Sequence, residues 1–496
     1  MKKIIYAMSA AALLLSSCGD FLKEESQSEV IPKTASDFSE LLLGSGYPDN
    51  AAPDFSWIEY LSDDCQGYVD LTTNVYDENW NFLGTQDAFA EENQTITPLP
   101  YYAWQPNMMD QDGYGNQINQ QASSTTYGQY YTKIMGCNAV LDGIDDATGS
   151  QEMKDRVKAE ALAVRALLYF QLVNIYGEPY NSNKEALGVP MKLNANLSKE
   201  GIARATVGQI YEQVLVPDLQ EAARLMDPLP IEKANYRVTQ PAIHILLSRV
   251  YLYMDRYQDC IDEANKALKQ GIRLMNLNTE LDKSKVVGGE FNPLDYSNPE
   301  VLWVFGPGTR YSSDSYRPTM SQDFQSLYDQ ANDLRWVQFG LGNPQNVSPI
   351  LKPYGNSSLC QNIRTAEAYL NKMEAEALLG QTAQANADLN TFCGTRYANY
   401  TAQNLTGDNL LTTIRNERRR EFCYEGHRWF DLRREGMPEI SHIYRERKGG
   451  PLVKYVLQHN DPMYTIPLPT SAFENNNALQ QNECRYGSMR TVVPAE

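Results

Sequence analysis

The chain has 496 residues, 42% of them apolar, and a formal net charge of −19. That length and apolar share suffice for a large globular core, while the negative charge disfavours nucleic acid and anionic lipid head groups as partners. Tyrosine outnumbers phenylalanine 32 to 14, and a flat apolar ring with a polar tip suits wet recognition surfaces as well as cores.

The first residues, MKKIIYAMSAAALLLSSC, place Lys2 and Lys3 before an apolar run from Ile4 to Leu15 and then Ser16-Ser17-Cys18. The run is too short for a stable membrane span and has the layout of an export signal, assigned to residues 1–17. Small residues directly before a cysteine suit lipoprotein processing. Cys18 is therefore the predicted lipidated N-terminus, and its acyl chains would tether a soluble body to a bilayer. Residues 18–33 read as a polar tether, and residues 34–496 as one folded unit. Of the other cysteines, Cys65, Cys137, Cys260, Cys360, Cys393, Cys423 and Cys484 show no CxxC metal spacing. Cys137, Cys260, Cys393 and Cys423 fall in helical patterns and are predicted to be small core residues.

TASDFSELLL (34–43) opens with a capping pattern on Thr34 or Ser36. Residues 46–120 are rich in Gly, Pro, Asn, Asp and aromatics without a sustained period, which predicts loop-dominated, functional structure. Sugar recognition needs flat rings against the C–H face of a pyranose and polar groups for its hydroxyls. Trp57, Trp80 and Trp104, with Tyr68, Asp63, Asp64 and Asn79, are the candidate ligand residues here. Removing Trp80 and Trp104 is expected to weaken ligand retention while leaving thermal unfolding nearly unchanged.

Helical periodicity begins at Tyr127, with Tyr127, Tyr131, Ile134, Asn138 and Leu141 on one stripe. KDRVKAEALAVRALLYFQLVNIYG (154–177) predicts a long helix with Val157, Ala161, Val164, Leu168 and Leu172 inward, stopping at Gly177-Glu178-Pro179. Residues 207–225 are helical. Residues 241–268 hold two helices around Asp255-Arg256-Tyr257, and residues 364–392 repeat that arrangement around Gly380-Gln381. Such pairs, with Ala264, Ala267, Ala375 and Ala377 at close approaches, resemble tetratricopeptide repeats separated by insertions.

The predicted fold class is therefore mainly α. A helical-pair scaffold covers about 127–272 and 364–436, with long irregular aromatic insertions at about 46–120 and 273–362 and a few short strands such as EVLWVF (300–305). The second insertion contributes Arg310, Tyr311 and Tyr316 as ligand candidates. Trp303, Trp336 and Trp429 are assigned to packing, and His244 and His427 to satisfied core positions.

IRNERRREFCYEGHRWFDLRREGM (414–437) packs seven arginines into this acidic chain. Glu417/Arg420, Arg418/Glu421, Glu425/Arg428, Arg428/Asp431 and Asp431/Arg434 stand at i,i+3, where neighbours on a helix surface meet. Ile414, Phe422, Trp429, Phe430 and Leu432 demand a core beside them. The arginines are thus expected to be held by carboxylates beside buried structure, which argues against a phosphate-binding patch.

That segment, ERRREFCYEGHRWFDLRREG, resembles the most specific motif of the SusD/RagB family of outer-membrane nutrient-binding lipoproteins, carried on a C-terminal helix. AEALAVRALLYFQLVNIYGEPY, the Asn138-Ala139-Val140-Leu141 run, the start CGDFL and the closing DPMYTIPLPTSAFENNNALQQN also resemble it, so the likeness covers nearly the whole mature chain. ENNNALQQNEC departs from the family's usual N-P and Q-N-P-G-Y ending. The resemblance implies a SusD-like fold and a lipid-anchored protein on the outside of a Bacteroidota-type outer membrane, with Lys23-Glu24-Glu25 resembling the acidic signal for surface display. It implies a SusC-like TonB-dependent transporter as partner, and an oligosaccharide, alternatively a peptide, as cargo. No cofactor or metal is expected. HExxH, GxSxG and phosphate-loop motifs are absent and the four histidines are scattered, so a non-enzymatic binder is expected over a glycoside hydrolase or a purely protein-binding repeat scaffold.

Overall fold

In the computed structural model of the protein, Thr34 starts the first described helix, α1 (Ala35–Leu41), with a reciprocal cap. Its hydroxyl accepts from the Asp37 amide at 3.1 Å, and the Asp37 carboxylate accepts from the Thr34 amide at 2.9 Å. Two donors that a helix end leaves bare are thereby satisfied. The structure describes residues 32–49, 51–54, 56–66, 71–76, 82–88, 96–121, 123, 125–197, 200–232, 236–287, 297–307, 319–338, 359–445, 450–474 and 476–494.

The expected helical pairs are present. They are α2 (Thr126–Gly143), α3 (Gln151–Tyr176), α4 (Val216–Met226), α5 (Gln240–Tyr253), α6 (Tyr257–Leu268), α7 (Thr365–Leu378) and α8 (Thr382–Gly394). Each packs on the next in a stack running from α2 to α8. The two tight pair turns need left-handed backbone, supplied by Asp255 (φ 57°) and Gly380 (φ 73°). Glycine has no Cβ to oppose that conformation, and aspartate is among the few side chains that tolerate it. A π-turn at Tyr211–Leu215 leads into α4, where Pro217 lacks the amide that a regular helix would use.

α3 is the spine. From Ala159 to Tyr176 every residue is buried, so the amphipathic stripe read from the sequence describes only its first turns. Its last carbonyls are taken by side chains and backbone from far along the chain. Arg204 and Asn482 donate to the Tyr176 carbonyl at 2.8 and 2.9 Å, the Ile466 amide donates to Ile175 at 3.1 Å, and Arg433 donates to Asn174 and Gly177.

The strands are short: β1 (Cys65–Gln66), β2 (Leu71–Tyr76), β3 (Phe82–Ala88), β4 (Leu187–Pro190), β5 (Arg204–Thr206), β6 (Val301–Pro307), β7 (Thr319–Met320), β8 (Leu359–Arg364), β9 (Ile440–Tyr444), β10 (Val453–Leu457) and β11 (Val493–Pro494). They pair antiparallel as β1–β7, β2–β3, β4–β5, β6–β8 and the three-stranded β9–β10–β11. The predicted strand at 300–305 is β6, with Trp303 opposite Ile363. The β2–β3 hairpin lies inside the stretch expected to be loop. Trp303, Trp336 and Trp429 are buried as expected, as are Cys137, Cys260, Cys393 and Cys423.

His244, buried on α5, joins α6 to the end of α4 by facing Glu263 at 2.6 Å and Asp227 at 3.0 Å. Burial pushes its imidazole down, but the hydrogen bond it donates to Glu263 and the charge of Asp227 outweigh that and raise it above 6.5. A raised folded-state value gives stability that is fully present below about pH 6.5 and is lost as pH rises through that value. Urea midpoints should therefore separate wild type from His244→Gln most at about pH 6 and progressively less toward about pH 8.5.

Candidate ligand-binding site

The arginine-rich segment folds as two helices, α9 (Gly407–Glu421) and α10 (Arg428–Arg434), rather than one. Tyr424 (φ 53°) and Gly426 (φ 78°) break the run between them. Of the local pairs read from spacing, Glu417–Arg420 (2.5 Å) and Asp431–Arg434 (2.9 Å) form. Further ion pairs reach beyond that spacing: Arg418 to Asp431 across the break at 2.8 Å, Arg434 also to Glu374 at 2.8 Å and Arg428 to Asp63 at 2.7 Å. Beside them lies a buried cluster of four arginines (Arg335, Arg364, Arg396, Arg420) and five carboxylates (Glu300, Asp333, Glu417, Glu421, Glu425). The segment is a structural hub that locks both insertions to the helical stack.

That hub corrects the N-terminal ligand candidates. Asp63 accepts both fork donors of Arg428 at 2.7 and 2.8 Å, and Asp64 accepts from Arg419 at 2.6 Å. Burial works to raise Asp63, but Arg428 and Arg419 hold it below the usual carboxylate range. For Asp64 burial prevails, and with the charge of Asp63 it pushes the group up to about 6. Both carboxylates are thus engaged by guanidinium groups, and Asp64 is buried as well. Trp104 is sealed in the core: its ring stacks on His442 with centroids 4.2 Å apart, and its indole N–H donates to the Leu61 carbonyl at 3.1 Å. Trp57 is buried beside Tyr101, and its N–H donates to the Thr126 hydroxyl at 3.0 Å. Both indoles serve the fold, because the hub draws residues 57–64 inward against β9 and α10. Tyr68, Asn79, Trp80, Arg310, Tyr311, Tyr316 and Cys18 lie outside the described residues. Trp104→Ala is accordingly expected to lower stability by about 3 kcal/mol, read as a fall in melting temperature.

A concave site does open elsewhere, on the helical scaffold. A cavity of about 330 Å³ lies at the start of α2, where the Thr125 hydroxyl caps the helix by accepting from the Gly128 amide at 2.9 Å. Tyr127, Tyr131 and Met135, one turn apart, form its floor. The two tyrosine rings are 5.0 Å apart and tilted by 55°. Pro190, the last residue of β4, and Lys192 beyond it make one wall, and Ile202 and Asn476 the other.

The walls are fixed from beneath. Tyr131 donates to the Pro190 carbonyl at 2.8 Å, and Tyr169 and Asn138 donate to the Lys192 carbonyl at 2.9 and 2.8 Å. Arg165 holds Asn138 at 2.9 Å while its fork binds Asp218 through two 2.8 Å bonds. Across the cavity, Asn476 donates to the Ile202 carbonyl at 2.8 Å. Gly201 leaves room for that side chain, since a Cβ would stand 2.4 Å from the Asn476 Oδ1 and push it aside. The arrangement is a preformed apolar floor with a polar rim, which suits reversible binding of a small amphipathic molecule.

Residues 58–252 match a family model described as "Starch-binding associating with outer membrane", and residues 326–486 match that of the SusD family. The chain belongs to the SusD/RagB family. A SusD-like protein of Formosa agariphila is 22% identical over 324 residues, which span 64% of this chain and about half, 54%, of that relative's length. Among solved structures, a putative sugar binding protein from Bacteroides vulgatus superposes with a TM-score of 0.66 at 22% identity, covering 92% of this chain and 99% of that one. A SusD superfamily protein from Bacteroides fragilis gives 0.65 at 23% identity, covering 90% and 99%. These likenesses show the SusD-like, mainly α fold that the sequence predicts. Among the described residues, no helix of this SusD/RagB chain is long and apolar enough to cross a membrane, and no group of three or more His, Cys, Asp or Glu side chains is placed to hold a metal ion.

Proposed function

We propose that the protein is a surface lipoprotein, held to the outer membrane through Cys18, that binds an oligosaccharide without cleaving it and passes it to a SusC-like TonB-dependent transporter. The observation that carries this reading is the pair of SusD-family matches, over residues 58–252 and 326–486. The sugar-binding description of one structural neighbour supports the choice of cargo. Tyr68, Asn79, Trp80, Arg310, Tyr311 and Tyr316 remain the proposed ligand residues on the two insertions, since aromatic rings with amide and guanidinium groups match the two faces of a sugar.

The test is affinity electrophoresis of the detergent-solubilised full-length protein in gels containing starch, pectin, xylan or mucin. Retardation by at least one polymer, with its chain length unchanged after incubation, is the expected result. Free migration in all four gels would refute carbohydrate binding, and shortening of the polymer would replace the binder with a hydrolase. Co-purification of a TonB-dependent transporter from outer membranes, lost when Cys18→Ser prevents anchoring, tests the delivery step.

A further inference from the structure

We infer that the cavity at the start of α2 is a separate binding site for a single sugar ring, the end residue of an oligosaccharide whose remainder extends outward. The inference rests on the carbohydrate reading above and adds a place that the aromatic insertions do not provide. Its volume of about 330 Å³ is at the small end of ligand pockets, which run from about 300 to 1,000 Å³. One or two rings fit and a long chain does not.

The chemistry of the walls selects the ligand class. The tilted pair Tyr127 and Tyr131 offers an apolar aromatic floor, continued by Met135. The rim is polar. Lys192 donates to the Asn194 side chain at 3.1 Å and to the Asn196 carbonyl, and an ammonium has three donors, so one remains. Asn476 and Glu200 add amide and carboxylate groups to the same rim. A wholly apolar ligand would use the floor and ignore the rim, and a small ion would use the rim and leave the floor wet. A pyranose has an apolar C–H face for the rings and hydroxyls around its edge for the rim. Leu197, 95% exposed on the lip, is apolar surface that such a ring would cover.

The wall is held in place without a ligand, because Arg165–Asp218, Asn138 and Tyr169 fix it by hydrogen bonds within the protein. A site that needs no reorganisation loses little affinity to ordering.

The experiment is saturation-transfer NMR of the detergent-solubilised full-length protein with glucose, galactose, mannose, N-acetylglucosamine and galacturonic acid, each tested alone. At least one sugar should receive saturation. Binding should weaken about five- to tenfold in Tyr131→Ala, the scale of one lost ring contact. Met135→Trp, which fills the cavity and removes no hydrogen bond, should weaken it likewise. Tyr486→Ala, at an exposed tyrosine outside the cavity, should match wild type. Equal transfer in wild type, Tyr131→Ala and Met135→Trp overturns the inference. So does the absence of transfer from all five sugars in a protein still retarded by a polysaccharide gel, which leaves the proposed function standing. Failure of both free sugars and polymers removes the carbohydrate reading itself.

Discussion

Arg335→Met is expected to destabilise the protein by on the order of 5 kcal/mol, within reach of the whole stability of an ordinary domain. Arg335 is fully buried and touches three carboxylates at once: Asp333 at 2.7 Å, Glu417 at 2.7 Å and Glu421 at 3.2 Å. Methionine fills a similar volume, so the loss is electrostatic rather than a cavity. The surrounding cluster already holds more carboxylates than guanidiniums, and removing one cation strands anions that cannot reach water. Burial by itself would raise Glu417, yet Arg335 and Arg420 outweigh it and hold the group at about 2. A depressed carboxylate gives stability that is present above about pH 4.5 and disappears as pH falls toward the folded value. The difference between wild type and Arg335→Met in urea denaturation should therefore be largest near neutrality and shrink below about pH 4. A difference under about 1 kcal/mol at neutral pH would show that the cluster tolerates the loss of its central cation.

Arg433→Met should cost about 4 kcal/mol by a different route. Arg433 is buried with no carboxylate among its hydrogen-bond partners, which are the carbonyls of Tyr464 (2.6 Å), Asn174 and Gly177. Burial lowers its guanidinium to about 10, so it stays charged at neutral pH and sits where the negative end of α3 favours a cation. Its removal leaves three carbonyls bare at roughly 1–3 kcal/mol each, offset in part because a charge no longer has to be kept from water. Because no group here titrates near neutrality, the loss should be the same at about pH 5 and about pH 8, unlike that of Arg335→Met. Arg433→Lys should recover only part of it, since an ammonium cannot reproduce the planar fork. Urea denaturation of the three proteins at both values is the check, and full rescue by lysine would rule out the fork.

The helices were legible because their signals are local. Thr34 and Asp37 cap α1 within four residues, and Gly380 marks the turn between α7 and α8 within a single pair. The fate of the arginines was half legible. Spacing finds Glu417–Arg420 and Asp431–Arg434, but Arg428 meets Asp63 across 365 residues of chain, and no periodicity records that. The same contact explains the misreading of Asp63, Asp64, Trp57 and Trp104. Aromatic and acidic residues in irregular sequence look displayed until a distant charge hub draws them inward. The break between α9 and α10 was only half marked, because Gly426 is a breaker the sequence shows whereas Tyr424 in left-handed backbone has no signature of its own. Tyr127 and Tyr131 were visible as a helical stripe, whereas the cavity over them needs Lys192 and Asn476 from two other regions, which only the folded chain assembles.

The end of α3 carries one further consequence. Its closing donors come from residues 204, 433, 466 and 482, the last of them 306 positions beyond the carbonyl it satisfies. A chain that folds from its N-terminus thus completes this helix end last, because the final latch arrives only with the trailing segment.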